Sequence, residues 1–361
     1  MELACATTSP NLAAMGTSSP APLLLCGYYG EHNLGDDALL AVLLNQLGPD
    51  VPVLVTARDQ PLVQQRFGVA TVDRRNLRAV IAAVGSSRAL VLGGGSLLQD
   101  ATSFNSLMYY AALIAAARLQ GKPVLLWGQG LGPLRRRRSR LLVRVLLPMV
   151  RSVCWRDQAS AELAAALGRA GEWAADPVWA STPQQWRGQA GPIVVCLRPT
   201  PLLVGAAWTP YLQALATLAE THGREVIWLP FHQDQDTTLL QTLLAQDLVP
   251  AALVQRSRQI EASTPREAMA VFATAGLVVA MRLHGLILAA VSGAPVAALS
   301  YDPKVEAAAS DLGCPLQHLD QPARAEALVE AWQGELDQPQ DQTKREALRR
   351  SAARHASVLQ R

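Results

Sequence analysis

The chain has 361 residues and a formal net charge of +3; half of the residues are apolar and 5% are aromatic. So small a charge excludes an electrostatic case for nucleic acid, scarce aromatics leave little for base stacking, and no apolar run reaches the ~18 residues of a membrane span. Cys5, Cys26, Cys154, Cys196 and Cys314 are odd in number and contain no CxxC pair, which fits buried thiols in a reducing cytoplasm rather than a disulfide framework or a zinc knuckle.

Residues 1–20 are rich in Ser, Thr, Ala and Pro and lack a basic start. They read as a disordered lead, not a signal peptide. Short apolar runs then alternate with helical stretches. Strands are predicted at Pro22 to Cys26, Val51 to Val55, Val69 to Val72, Ala89 to Leu92, Val124 to Trp127, Val153 to Trp155 and Glu172 to Ala174. Helices are predicted at Asp36 to Leu47, Leu77 to Val84, Phe104 to Leu119 and Gln158 to Leu167. Continuous apolar strands between helices mean a parallel sheet covered on both faces.

Residues 180–191 break this rhythm with Pro, Gly and polar residues, as a domain boundary does. The pattern restarts with strands at Ile193 to Leu197, Glu225 to Leu229, Ala252 to Val254, Leu277 to Ala280 and Val296 to Leu299. Helices Tyr211 to Glu220, Pro265 to Ala273 and Leu286 to Val291 lie between them. The expected organisation is a Rossmann-like domain over residues 21–180, a second over 190–340, and a C-terminal helix over 341–361. That helix either packs back across the junction or is solvated. Two doubly wound α/β domains facing across a cleft is the layout of the GT-B glycosyltransferases.

Chemistry is sought at strand ends, where such folds bind ligands. Gly27, Gly30 and Gly35 punctuate GYYGEHNLGDDALL after the first strand, without the GxGxxG spacing of a dinucleotide site. Asp36 and Asp37 either cap the following helix or supply a carboxylate that takes a proton from a sugar hydroxyl. Glu31, His32 and Asn33 are further candidates for hydroxyl contacts. In GGGSLLQD, the stretch Gly93 to Ser96, with Gly94 and Gly95 inside it, is either a tight turn or a nest of backbone N–H groups for a phosphate or sugar; Gln99 and Asp100 follow. GQGLGP, residues 128–133, is a weaker case of the same kind.

Arg156 and Arg198 stand at strand ends in opposite halves, placed to clamp a carboxylate or pair on the surface. Asp157 is the expected cap of the helix after Arg156. His232, Asp234 and Asp236 are too loosely spaced for a metal site, so none is expected. Arg282 and His284 close a buried strand and Lys304 follows the next, so cations and a proton-transfer group meet beside a helix start. Arg135 to Arg144 combine a run of arginines with Leu141, Leu142 and Val143. They form either the solvated start of a buried helix or a basic amphipathic element for an anionic membrane surface.

Taken in order, GYYGEHNLGDDALL, GGGSLLQDATS, GQGLGP, CWRDQASAEL, DPVW, MRLHGLILAA and SYDPKV resemble the motifs of polysaccharide pyruvyl transferases, close to the bacterial CsaB-type branch. The likeness runs from about residue 22 to 335. It implies a cytoplasmic transferase that moves the enolpyruvyl group of phosphoenolpyruvate onto two hydroxyls of a sugar as a ketal, releasing phosphate. It implies a polymeric or lipid-linked cell-wall precursor as acceptor, at the inner face of the plasma membrane. The arginine and histidine of its MRLH motif fall on Arg282 and His284, and the arginine of its WRD motif on Arg156. The residues fit that chemistry. Arg156, Arg198, Arg282, Leu283 and Lys304 are assigned to the donor, His284 to the general acid, and Asp36 or Asp37 to the base. Gly30, Asn33, Gly94, Gly95, Ser96, Gln99 and Asp100 are assigned to the acceptor. Phosphoenolpyruvate is a co-substrate, and no cofactor or metal is called for. The competing expectations are a GT-B glycosyltransferase or sugar-nucleotide epimerase, and a non-catalytic protein that binds glycan or membrane.

Overall fold

The computed structural model describes residues 20–101 and 103–360. The expected disordered lead therefore lies, but for its last residue, outside the described residues. Strands β1 (Leu23–Tyr29), β2 (Val53–Ala57), β3 (Ala70–Asp73), β4 (Ala89–Leu98), β5 (Val124–Leu131), β6 (Ser152–Trp155) and β7 (Glu172–Trp173) form one sheet. Its order is β3-β2-β1-β4-β5-β6-β7. Strands β8 (Ile193–Cys196), β9 (Val226–Trp228), β10 (Ser257–Gln259), β11 (Leu277–Ala280), β12 (Val296–Ser300) and β13 (Leu316–His318) form another. Its order is β10-β9-β8-β11-β12-β13, and every pairing in both sheets is parallel. This is the Rossmann-like, GT-B-like pair read from the apolar runs.

Side-chain alternation along the strands builds three cores. Leu24, Leu90 and Leu126 bury on one face of the first sheet, and Val195, Val279 and Ala297 on one face of the second. The remaining faces, with Leu25, Val91, Val194 and Val278, share a single core. The helices Leu34–Leu47 and Leu283–Val291 lie in it. The helix Leu283–Val291 is apolar almost all round because it is covered on all sides. In each sheet the chain reverses direction beside the first strand of its half, between β1 and β4 and between β8 and β11. Both crevices open at the carboxyl ends of those strands.

Three local expectations are corrected. Residues 252–254 are not a strand: Ala251–Val254 is a helical turn begun by Pro250, and Leu253 is buried under it. The strand is instead the polar edge Ser257–Gln259, bonded on one side only, which apolar patterning does not flag. The glycines after Leu92 and Trp127 do not end their strands. β4 and β5 run on to Leu98 and Leu131, with Gly94 and Gly95 at φ +84° and +77° and a shift in register between Gly95 and Leu98. The cap of Leu34–Leu47 is neither Asp36 nor Asp37 but Asn33, whose extended backbone lets its side chain accept from the Gly35 N–H. Asp157 does cap its helix, accepting from Ser160.

The C-terminal segment, Gln342–Ala353 and Ala356–Leu359, packs back rather than standing in solvent. Lys344 and Arg345 donate to the carbonyls of Leu312 and Val291 in the second half. Ser351 Oγ accepts from Ala175 N at 3.0 Å, and His355 Nε2 lies 2.9 Å from Ala175 O in the first. His355 is fully buried against Trp127, and burial pushes its pKa down from 6.5 to about 4. The unfolded chain therefore takes up a proton at mildly acid pH that the folded chain refuses. This contribution to stability is complete above pH 6.5 and is lost as the pH falls toward about 4. Between pH 7 and 5 it should cost about 2 kcal/mol. Denaturant melts at both pH values should show a correspondingly smaller acid loss in His355→Gln; equal acid losses would remove His355 from the account.

Candidate active site

The two crevices face each other across a cavity of about 200 Å³. From the first sheet come Asn33, Asp36, Gly95, Ser96 and Arg156. From the second come Leu283, His284, Tyr301, Asp302, Lys304 and Val305. The halves also clasp beside it: Leu34 N donates to Phe231 O, and Gln233 N to His32 O.

Arg156 leaves the end of β6 and is buried. Its Nη2 donates to Ser96 Oγ at 2.9 Å and its Nη1 to Asp176 Oδ2 at 3.3 Å. Gly130 makes room for it, since a Cβ there would stand 2.7 Å from the guanidinium Nε. Asp176 starts a short helix, Pro177–Ala180, accepting from Val178 N with Oδ1. Its Oδ2 also lies 3.4 Å from His284 Nε2. Burial would raise the Asp176 pKa. His284, Arg156 and the Val178 amide outweigh it and hold the carboxyl well below the usual range, so it stays charged.

His284 sits in the first turn of Leu283–Val291, and its Nε2 makes no aligned hydrogen bond. It reaches into the other half. A Cβ on Gly35 would stand 2.2 Å from its Nδ1, so only glycine at the start of Leu34–Leu47 allows this approach. Asp36, one residue on, accepts from Asn33 Nδ2. Burial pushes its carboxyl up to about 6, against the pull of His284 and Arg156. Lys304 stands in the first turn of Pro303–Leu312, whose cap Asp302 accepts from its backbone N–H. Burial, helped by the charge of Arg156, pushes the Lys304 ammonium down to about 8. Two cations, an imidazole and a carboxylate of raised pKa thus line one cavity with two helix N-termini.

Several residues expected at the site are committed elsewhere. Arg282 forms a two-point pair with buried Asp236, which also accepts from His232 N, and so fixes the loop after β9 instead of lining the cavity. Asp37 is buried against Arg66 at 2.6 Å, on the side of its helix away from the cavity. Arg198 sits behind the wall, stacked on Tyr301 and donating to its hydroxyl. Gly30 (φ +68°) serves a tight turn against Asp59, and Gly94 O accepts from Gln129. Gln99 Oε1 accepts from Ala101 N, and Asp100 accepts from the amides of Arg135 and Arg136. Glu31 joins Arg58 and Arg74, and His32 faces Asp59. Asp176, Tyr301 and Asp302 were not assigned to the site. Asp176 had two local signals, its place in the DPVW motif and the Asp-Pro pair that starts a helix. Among the described residues no group of three His, Cys, Asp or Glu could hold a metal ion.

A family model described as polysaccharide pyruvyl transferase matches residues 33–303 of the chain. The chain belongs to the polysaccharide pyruvyl transferase family. No curated protein matches it significantly. Among solved structures, the UDP-GlcNAc 2-epimerase of Methanocaldococcus jannaschii superposes with a TM-score of 0.64 at 10% identity, covering 94% of this chain and 99% of that one. Anabaena HepE, solved with UDP and glucose, gives 0.56 at 14%, covering 94% and 96%. Acinetobacter baumannii MurG gives 0.52 at 14%, covering 94% and 99%. At such identities these neighbours speak for the fold alone. This pyruvyl transferase shares a GT-B-like frame with enzymes of other chemistry, and its own site carries the functional argument.

Proposed function

We propose that this pyruvyl transferase takes phosphoenolpyruvate as donor and closes a ketal on two hydroxyls of one sugar of a lipid-linked or polymeric cell-envelope precursor, in the manner of the CsaB-like branch. The observation that carries this reading is the cavity itself, where Arg156 and Lys304 stand beside His284 and Asp36. The donor brings a carboxylate and a phosphate, and the two cations match them. His284, as imidazolium, protonates the methylene carbon, and the neighbouring carbon becomes oxocarbenium-like. The first sugar hydroxyl attacks that carbon and gives its proton to Asp36. The carbon–oxygen bond to phosphate then breaks, the electron pair leaving with phosphate toward Arg156 and Lys304. The second hydroxyl attacks the same carbon and loses its proton. One proton ends on the new methyl group and one on phosphate or solvent. Neither a metal nor a resident cofactor enters the scheme; the cations take up the developing charge.

Incubation with phosphoenolpyruvate and a panel of lipid-linked saccharides should give phosphate and a product heavier by a pyruvate ketal. Release of a uridine nucleotide from a nucleotide sugar instead would overturn the reading.

The site's titrations make the pH profile a second test. Asp36 accepts a proton only when ionised, so kcat/KM should rise with pH through about 6. Lys304 holds an anion only when charged, so kcat/KM should fall as pH rises through about 8. Asp36→Asn should erase the acid limb, and Lys304→Arg should carry the alkaline limb upward. A wild-type profile without limbs between about pH 5 and 9 would reject both assignments.

A further inference from the structure

We propose that the helix Arg137–Leu146 and the arginines leading into it are a docking surface for an anionic lipid bilayer. Arg135, Arg136, Arg137, Arg138, Arg140 and Arg144 are all exposed. No ion pair among the described residues engages any of them. Asp100, the carboxylate at the start of the stretch, is buried and accepts from the amides of Arg135 and Arg136. Ser139, Val143 and Leu146 turn inward. Residues four apart share a helix face, so Arg137, Leu141 and Val145 lie together on the outward one. Leu141 is 65% exposed and Val145 54%. Two large exposed aliphatic groups on the face that carries the arginines add nothing to a site for a soluble polyanion. A membrane interface uses both at once: the aliphatic groups enter the headgroup layer and the guanidinium heads meet lipid phosphates.

The position of this surface suits the cavity. The stretch begins just past the carboxyl end of β5, and Asp100, just past β4, ties its first two amides to that sheet edge. A bilayer against it lies on the cavity's side of the sheet, where lipid-borne saccharides are presented. The docking surface itself depends on neither the donor nor the ketal chemistry, so it is tested without turnover.

The full chain should co-sediment with vesicles of phosphatidylcholine containing phosphatidylglycerol and not with pure phosphatidylcholine, and salt at about 0.5 M should release it. Replacing Arg135, Arg136, Arg137 and Arg138 together with Gln should weaken binding roughly 100- to 1,000-fold. Leu141→Gln with Val145→Gln leaves every charge in place and should still weaken it roughly 10-fold. All six side chains are exposed, so the Leu141→Gln, Val145→Gln variant should melt like the parent, and the arginine variant should melt only slightly lower, having lost the stacking of Arg138 on Phe104. Equal binding to both vesicle types, or none, overturns the proposal. So does a Leu141→Gln, Val145→Gln variant that binds vesicles like the parent while a soluble anionic polysaccharide binds the parent as tightly; the surface then belongs to glycan.

Discussion

Replacing His284 with Gln is expected to slow turnover roughly 100- to 10,000-fold while leaving the affinity for phosphoenolpyruvate nearly unchanged, the range associated with one acid–base group. Glutamine fills a similar volume and keeps a hydrogen-bond donor, but it cannot deliver a proton. Because the His284 side chain lies directly against Gly35, a bulkier probe would test packing instead of chemistry. The isotope result should be as clear. In heavy water the parent enzyme should place one deuterium in the ketal methyl group of each product. A His284→Gln variant with parental turnover would make the imidazole structural and move the acid elsewhere, with His232, buried beside Asp236, the next group to test.

The second large effect is on the donor. Arg156→Ala should weaken phosphoenolpyruvate binding by roughly 2–4 kcal/mol, about 30- to 1,000-fold, because a charge-assisted, largely buried fork disappears. The same change leaves Asp176 charged and short of a partner, so the melting temperature should drop as well. Arg156→Lys separates the two effects. It retains a charge near Asp176, so stability should largely return, while the planar two-point grip is lost and affinity should stay well below parental. Calorimetry with the donor alone reads this directly. Parental affinity in both variants would show that the anion is held by other groups.

How far the site could be read from sequence depended on the kind of information each residue needs. Arg156, His284, Lys304 and Asp36 were legible because strand ends and helix starts are local patterns, and the fold brings such ends together. The partners of those residues were not. Asp176 meets Arg156 and His284 from a loop 20 residues beyond the first. Asp236 takes Arg282 from 46 residues away, which is why an arginine two positions from His284 ends outside the cavity. Asp36 and Asp37 are neighbours in sequence, yet about 100° apart around a helix, so one faces the cavity and the other Arg66. Among the strands, the buried ones announced themselves by continuous apolar runs. The polar edge Ser257–Gln259 did not, because a strand bonded on one side need not be apolar.

The grip of the C-terminal segment on Ala175 bears on the order in which this protein is made. Ser351 and His355 hold both backbone polar groups of one residue, next to the carboxylate that stands between Arg156 and His284. Residues 342–359 leave the ribosome only after both sheets have been synthesised. Until then the pocket around Trp127 and Ala175 is bare, and the loop carrying Asp176 lacks its fastening. This stretch thus acts as a bolt: the loop carrying Asp176 is fastened only once residues 342–359 have emerged, later than the residues of the cavity itself.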